Sequence, residues 1–266
     1  MPIKSLIPSS FKKAYNKYSW FLKNYDHIDN YSKTNAAFIY GPVSYAADGL
    51  ATCNNADFRK DPQFSKAYQA AAATNPWPGF NLEWRVYIVC WFANHVKNLP
   101  GDFVECGVNT GAYAKAIVSF LDFNRLNKTF YLLDTFDGLV PELVSDAERT
   151  AGLESYMSQY KNVYDSVVEN FKNDKVKIIK GAVPGTLPLC TTDSIAYLSI
   201  DMNSVQPEVA ALEYFYQKVV PGGVIMLDDY GFPQHIHQKN AHDQFAKSKG
   251  ESILTLPTGQ GVIIKK

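Results

Sequence analysis

The sequence predicts an α/β protein: a doubly wound, mostly parallel seven-stranded sheet that ends in an antiparallel hairpin, preceded by a helical N-terminal extension. Three observations carry this. From residue 102 onward, short apolar runs of strand length alternate with stretches of helical period, the pattern of a parallel sheet covered on both faces. The run Gly101-Asp-Phe-Val-Glu-Cys-Gly-Val-Asn-Thr-Gly111 passes from a buried strand into a glycine-punctuated turn with Glu105 near the strand's end. The last two apolar runs are separated only by Thr258-Gly-Gln-Gly261, short enough for a hairpin.

The extension covers residues 1–80 and the sheet domain 81–266. Residues 1 to about 75 are rich in Tyr, Asn, Lys and Ala and carry no strand pattern. Within them, Phe11, Tyr15, Tyr18, Leu22 and Tyr25 recur at alternating spacings of four and three, a single aromatic stripe on a helix. Such a stripe suits packing on the main domain or on a second subunit. A second helix is expected over 61–73. A third is expected over 82–96, with Trp84, Tyr87, Ile88, Trp91 and Phe92 as a wide apolar face. Pro100-Gly101 ends it. Strands follow at 103–108, 129–134, 176–180, 195–200 and 223–227, then 252–256 and 261–264. Helices are expected at 112–121, 155–173, 206–219 and 240–248.

Composition limits the function classes. Lys+Arg and Asp+Glu both total 26, so the formal net charge is zero, and nothing rewards a polyanion such as nucleic acid. The cysteines at 53, 90, 106 and 190 show no CxxC spacing and read as reduced thiols. No apolar run approaches the ~18 residues of a membrane span, and the first residues lack a signal-peptide core. A cytoplasmic location is the expectation.

Polar or glycine residues stand at the carboxyl ends of the strands: Glu105, Asp134, Gly181, Asp201 and the pair Asp228-Asp229. Doubly wound sheets bind ligands there, where strand order reverses. Gly107 and Gly111 are expected to let backbone approach a ligand. The spacing is neither Gly-x-Gly-x-x-Gly, since Asn109 replaces the second glycine, nor a Walker Gly-Lys-Ser/Thr, so the turn suits a nucleoside without phosphates. Asp134 is placed to accept from both ribose hydroxyls, or to cap the following segment. Glu105 can accept from a ligand's amino group or order the turn by taking its N–H groups. Asp201, Asp228 and Asp229 at two neighbouring strand ends make a hard oxygen site suited to Mg²⁺, or a set of caps and solvated acids. His235 and His237 can line a substrate pocket or act as a base, or sit on a surface loop.

Together with Leu133-Asp-Thr-Phe-Asp-Gly-Leu139, Lys180-Gly-Ala-Val-Pro-Gly-Thr-Leu-Pro188, Asp201-Met-Asn203 and Val220-Pro-Gly-Gly-Val-Ile-Met-Leu-Asp-Asp-Tyr-Gly231, the segment Gly101-Asp-Phe-Val-Glu-Cys-Gly-Val resembles the class I S-adenosylmethionine-dependent methyltransferases, specifically the macrocin O-methyltransferase family. The resemblance spans about residues 80–266. It implies a Rossmann-like fold and in-line attack of a substrate oxygen on the methyl of S-adenosyl-L-methionine. It places Glu105, Gly107, Asn109 and Gly111 around the cofactor, Asp134 at the ribose and Gly181 and Ala182 at the adenine. Asp201, Asp228 and Asp229 would hold Mg²⁺, with Asp201 also touching the cofactor and serving as general base; His235 is a second catalytic candidate. The implied partner is a small hydroxyl acceptor, a sugar or natural product, and the extension would supply lid or homodimer contacts. One departure stands out: the family's Asp-x-Asp-x-Tyr after the fourth strand is here Asp201-Met-Asn203-Ser-Val205. That departure motivates an alternative, a cofactor-binding or scaffold protein with reduced catalysis. A nicotinamide oxidoreductase would need the phosphate-binding turn that is absent.

Overall fold

The computed structural model describes residues 43–150, 153 and 161–266. The chain divides into two compact units, residues 1–57 and 58–266. The aromatic stripe at 11–25 lies outside the described residues, as do residues 155–160 of the helix expected over 155–173. The described part of the first unit holds an antiparallel hairpin, β1 (Tyr45–Ala47) with β2 (Leu50–Thr52).

The second unit opens with α1 (Pro62–Ala72). Asp61 caps it, its side chain accepting from Phe64 N at 2.8 Å, and Pro62 at the first helical position needs no N–H partner there. This helix packs on α3 (Ala112–Leu121), so the division at 57/58 falls earlier than residue 80.

Next comes α2 (Glu83–Val96), which lies against α3 and the centre of the sheet. Its buried face differs from the aromatic one expected. Arg85, Val86, Val89, Cys90, Phe92, Ala93 and Val96 are buried, whereas Trp91 is 48% exposed. Smaller side chains let the helix axis approach the sheet. Trp84 and Tyr87 pack on its flank against Phe58, with ring centroids 4.5 and 4.2 Å away.

The remaining elements are β3 (Asp102–Cys106), α3, β4 (Phe130–Asp134), α4 (Asp146–Thr150), α5 (Tyr164–Phe171), β5 (Val176–Lys180), β6 (Ile195–Ile200), α6 (Val205–Phe215), β7 (Val219–Leu227), α7 (Ile236–Ser248), β8 (Leu254–Thr255) and β9 (Gly261–Ile264). The seven strands run in the order β5-β4-β3-β6-β7-β9-β8, with five parallel strands and an antiparallel β8–β9 pair at one edge. The expected sheet and hairpin are both present. Side chains alternate between two buried layers: Phe103, Tyr197, Val224 and Met226 face one, Val104, Cys106, Leu198 and Ile225 the other. β7 starts earlier than the expected residue 223, because Val219 already pairs with Ile195. α7 starts at Ile236, four residues before the expected onset.

All four cysteines are free thiols, and burial holds those of Cys90 and Cys106 well above the ordinary range. No described helix is long and apolar enough to cross a membrane.

Candidate functional site

The order of strands reverses between β3 and β6. From β3 the chain returns through α3 to β4 on one side; from β6 it returns through α6 to β7 on the other. The crevice of such a sheet opens beyond those two strand ends. The ladder continues past the strands into the turns: Gly107 N donates to Leu133 O (2.9 Å), Asp201 N to Cys106 O (2.8 Å), Asp228 N to Ile200 O (3.1 Å) and Gly181 N to Asp134 O (2.8 Å). Glu105, Asp134, Asp201 and Asp228 are thereby gathered on one edge.

The glycines of the turn have a packing role that sequence reading does not give. At Gly107, with φ +87°, a Cβ would lie 1.8 Å from Asp201 O and 2.3 Å from Asp201 C. The missing side chain admits the end of β6. At Gly111, with φ +86°, a Cβ would meet the Phe171 ring at 2.5 Å, so this glycine makes room for α5. Both glycines close the fold around the site.

Of the roles the sequence leaves open, Asp134 takes the cap of the following segment and also the turn's N–H groups, the alternative role of Glu105. Asp134 orders the turn: its Oδ2 accepts from Val108 N (2.5 Å) and Asn109 N (2.8 Å), and its Oδ1 from Phe136 N (2.6 Å). Thr135 Oγ1 lies 3.2 Å from Oδ1 but 2.7 Å from Gly138 O, and its single proton serves the shorter contact. One lone pair of Asp134 is left open. Glu105, only 2% exposed, takes none of the turn's N–H groups, and its Oε2 is buried with no hydrogen-bond partner. The side-chain oxygen of Asn109 is likewise buried and unpartnered. Burial pushes the Glu105 carboxyl well above the usual range, and the charges of Asp228 and Asp134 push it further.

That shift has a sign that can be tested. A carboxyl whose folded pKa is raised binds its proton more readily in the folded protein than in the unfolded chain. Its contribution is fully favourable below the ordinary carboxylate value and is lost as pH rises towards the raised value. In Glu105→Gln the charge is absent, so the ligand-free protein should melt higher than wild type at pH 8, with the gap narrowing towards pH 5. The expected gain is at least about 1 kcal/mol, since each pH unit by which the folded carboxyl's pKa exceeds its unfolded value corresponds to about 1.4 kcal/mol. Thermal melts across that range check it; parallel curves for the two proteins would remove the argument.

Asp201 ends β6. Its Oδ1 accepts from Asn203 Nδ2 at 3.2 Å, and Asn203 holds a left-handed φ of 57°. Burial raises the Asp201 carboxyl well above the usual range; Asp228 and Asp229 add to this and Arg85 opposes it. The Asp228-Asp229 pair is engaged by Arg85 of α2. One guanidinium nitrogen of Arg85 contacts Asp228 Oδ2, Asp229 Oδ1 at 3.2 Å and Asp228 main-chain O at 3.0 Å. Gln260 Nε2 donates to Asp228 Oδ1 at 3.2 Å. Among the described residues, no three His, Cys, Asp or Glu side chains are grouped as metal ligands, so Asp201, Asp228 and Asp229 do not form the arrangement expected for Mg²⁺. A cation already contacts both members of the pair, and it belongs to the chain.

Behind these strand ends runs a buried polar chain, of which sequence reading singles out Asp229 and His235 but not Glu208 or Gln238. Glu208 of α6 accepts at Oε1 from Met202 N and from Gln238 Nε2, both at 2.9 Å. Gln238 Oε1 contacts His235 Nδ1, and His235 Nε2 lies 3.6 Å from Asp229 Oδ2. His242 Nε2 lies 3.0 Å from Glu208 Oε2. His235 is buried, not a surface loop residue, and it stands between Asp229 and Gln238. His237 faces elsewhere, into a pocket of about 370 Å³ lined also by Glu142, Ser145, Glu148, Val205 and Gln206. The wall of that pocket is held by buried Glu148, whose Oε2 accepts from Ser145 N (2.9 Å) and Oγ (2.6 Å) and whose Oε1 accepts from Val205 N (2.7 Å) at the start of α6. The polar chain could have been sought at Glu208, a charged residue on an otherwise apolar helix stripe.

A model of the macrocin O-methyltransferase (TylF) family matches residues 89–254. The chain belongs to that family. The match takes in every strand-end acid described above and stops short of Arg85, four residues before it begins. The chain is 28% identical over 149 residues to mycinamicin III 3''-O-methyltransferase of Micromonospora griseorubida, covering 51% of this chain and 57% of that protein. It is 29% identical over 143 residues to demethyldecarbamoylnovobiocin O-methyltransferase of Streptomyces niveus, covering 50% and 54%. The matches thus span little more than half the length of these curated relatives. Among solved structures, the O-methyltransferase NovP superposes with a TM-score of 0.62 at 24% identity, over 74% of this chain and 88% of that one. CalS11, a calicheamicin methyltransferase, gives 0.57 at 18% identity over 83% and 99%. These two likenesses are of fold, and they agree with the Rossmann-like seven-stranded sheet.

Proposed function

We propose that this chain is an S-adenosylmethionine-dependent O-methyltransferase acting on a hydroxyl of a sugar or small natural product. The observation that carries this is the unpartnered buried oxygen of Glu105 at the reversal of strand order, with Asp201 on the adjoining strand end. A partnerless acceptor in a carboxylate-rich crevice suits a ligand that brings N–H donors and positive charge. It disfavours phosphates. When bound, the cofactor supplies an electrophilic methyl group on a sulfonium. Glu105 and Asn109 would accept from its amino-acid part and Asp134 from one ribose hydroxyl, while Gly181 and Ala182 would border the adenine. Asp201 would take the proton of the acceptor hydroxyl, and the remaining acids would keep the crevice negative beside the sulfonium. The residues at the Asp228-Asp229 pair do not fit a divalent ion as they stand, and no step is derived through one. The 370 Å³ pocket beside His237 is our candidate for the acceptor. Lid or homodimer contacts from the N-terminal extension are part of the same reading.

S-adenosylhomocysteine tests it. At about 100 times its dissociation constant it should raise the melting temperature by about 5–10 °C; no shift would sink the reading. A second reading, cofactor binding with reduced catalysis, draws on Asn203, whose amide covers one oxygen of Asp201. Binding without transfer to any hydroxyl in a broad panel would favour it.

A further inference from the structure

We propose that Arg85 is the permanent counter-cation of the Asp228-Asp229 pair and that this site excludes a divalent ion. Arg85 is 7% exposed, and its guanidinium touches both carboxylates and the main-chain oxygen between them. It is also placed 5.1 Å from the Phe232 ring centroid, just beyond the pair. An arginine cannot shed its charge as a buried lysine can, so the compensation does not depend on pH. Mg²⁺ demands near-octahedral oxygen ligands and dehydrates reluctantly. To serve as those ligands, Asp228 would have to give up Arg85 and also Gln260, and Asp229 would have to give up Arg85. The displaced guanidinium would remain beside the ion, repelling it.

The position of Arg85 supports a built-in role. Residues 85, 89, 93 and 96 lie on one buried face of α2, and the other three are Val89, Ala93 and Val96. An arginine on such a face is retained only where anions meet it. Four carboxylates gather here (Glu105, Asp201, Asp228 and Asp229), and Arg85 is the cation that opposes the raised affinity of Asp201 for its proton. Its role is therefore positioning and charge compensation, without contact with the transferred group.

Mn²⁺ alone, followed by its electron paramagnetic resonance signal, tests the idea without cofactor or acceptor. The inference borrows from the methyltransferase reading only the importance of Asp201, so its failure and the failure of that reading are separable. Metal-stripped wild type should take up no Mn²⁺ with a dissociation constant below about 1 mM. Arg85→Gln should bind at least about tenfold tighter, Arg85→Lys, kept charged by the two carboxylates at pH 7, should stay like wild type, and adding Asp229→Asn to Arg85→Gln should abolish the gain. Uptake of one Mn²⁺ per wild-type chain at micromolar affinity overturns the proposal. So does a cooperatively melting Arg85→Gln protein that gains no binding, or a gain that survives Asp229→Asn. If Arg85→Gln does not fold, the wild-type and Arg85→Lys titrations decide.

Discussion

Asp201→Ala should lower methyl transfer by about 10²–10⁴-fold, the usual contribution of a positioned general base, while S-adenosylhomocysteine binding stays close to wild type. The base must be ionised to accept a proton. Burial and the neighbouring Asp228 and Asp229 hold the Asp201 carboxyl well above its ordinary range, with Arg85 pulling the other way. The acid limb of kcat/KM should therefore lie above the pH of about 4 at which an exposed aspartate titrates, with activity rising as pH rises through it. Asp201→Asn keeps the shape and the bond from Asn203 but cannot take a proton, and it should be as inactive as the alanine variant. Release of S-adenosylhomocysteine with an accepted hydroxyl, followed against pH, measures both effects. Wild-type turnover in either variant would refute the assignment.

The second large effect is expected at a glycine that acts through backbone packing. In Gly107→Ala the new methyl would sit 1.8 Å from the carbonyl oxygen of Asp201, at a φ of +87° that alanine rarely adopts. Relief requires the ends of β3 and β6 to part, breaking the 2.8 Å bond from Asp201 N to Cys106 O. Backbone strain of about 1–3 kcal/mol and overpacking of a similar size should add. For a domain of this size that lowers the melting temperature by about 5–20 °C. Asp201 moves with the strand end, so activity should fall further than stability accounts for. Gly79→Ala is the control: its φ is +76°, but a Cβ there meets nothing within 4 Å. Only the conformational strain applies, and its melting temperature should drop by a fraction of that. Equal losses in the two variants would mean that close approach at Gly107 is not what matters.

The strands were legible because apolar runs of five or six residues, bounded by turns, leave little freedom; Val176–Lys180 and Ile195–Ile200 fall where expected. The strand-end acids were legible for the same reason, since a residue's place along a strand sets which edge it reaches. Partners were harder to read. Asp134 and Glu105 stand at equivalent ends of adjacent strands, and the sequence offers no way to tell which will take the turn's N–H groups. Arg85 was hidden by the aromatic residues around it. Trp84, Tyr87, Ile88 and Trp91 suggest the buried face of α2, but rings that large hold a helix away from a sheet, and smaller residues face inward with the arginine among them. Glu208, Gln238 and His235 come from α6, α7 and the turn before it, and only the packing of those elements joins them.

Glu148 is a single carboxylate with two clients: the segment that walls the candidate acceptor pocket and the first N–H of α6, four residues beyond Asp201. If the proposed acceptor pocket and base hold, selectivity and reactivity are mechanically geared. A variant bred to admit a bulkier acceptor by reshaping residues 142–148 would then shift the strand end that carries Asp201, the proposed base, as well. Broader scope and slower turnover should arrive together, unless the tether from Glu148 to Val205 is left whole.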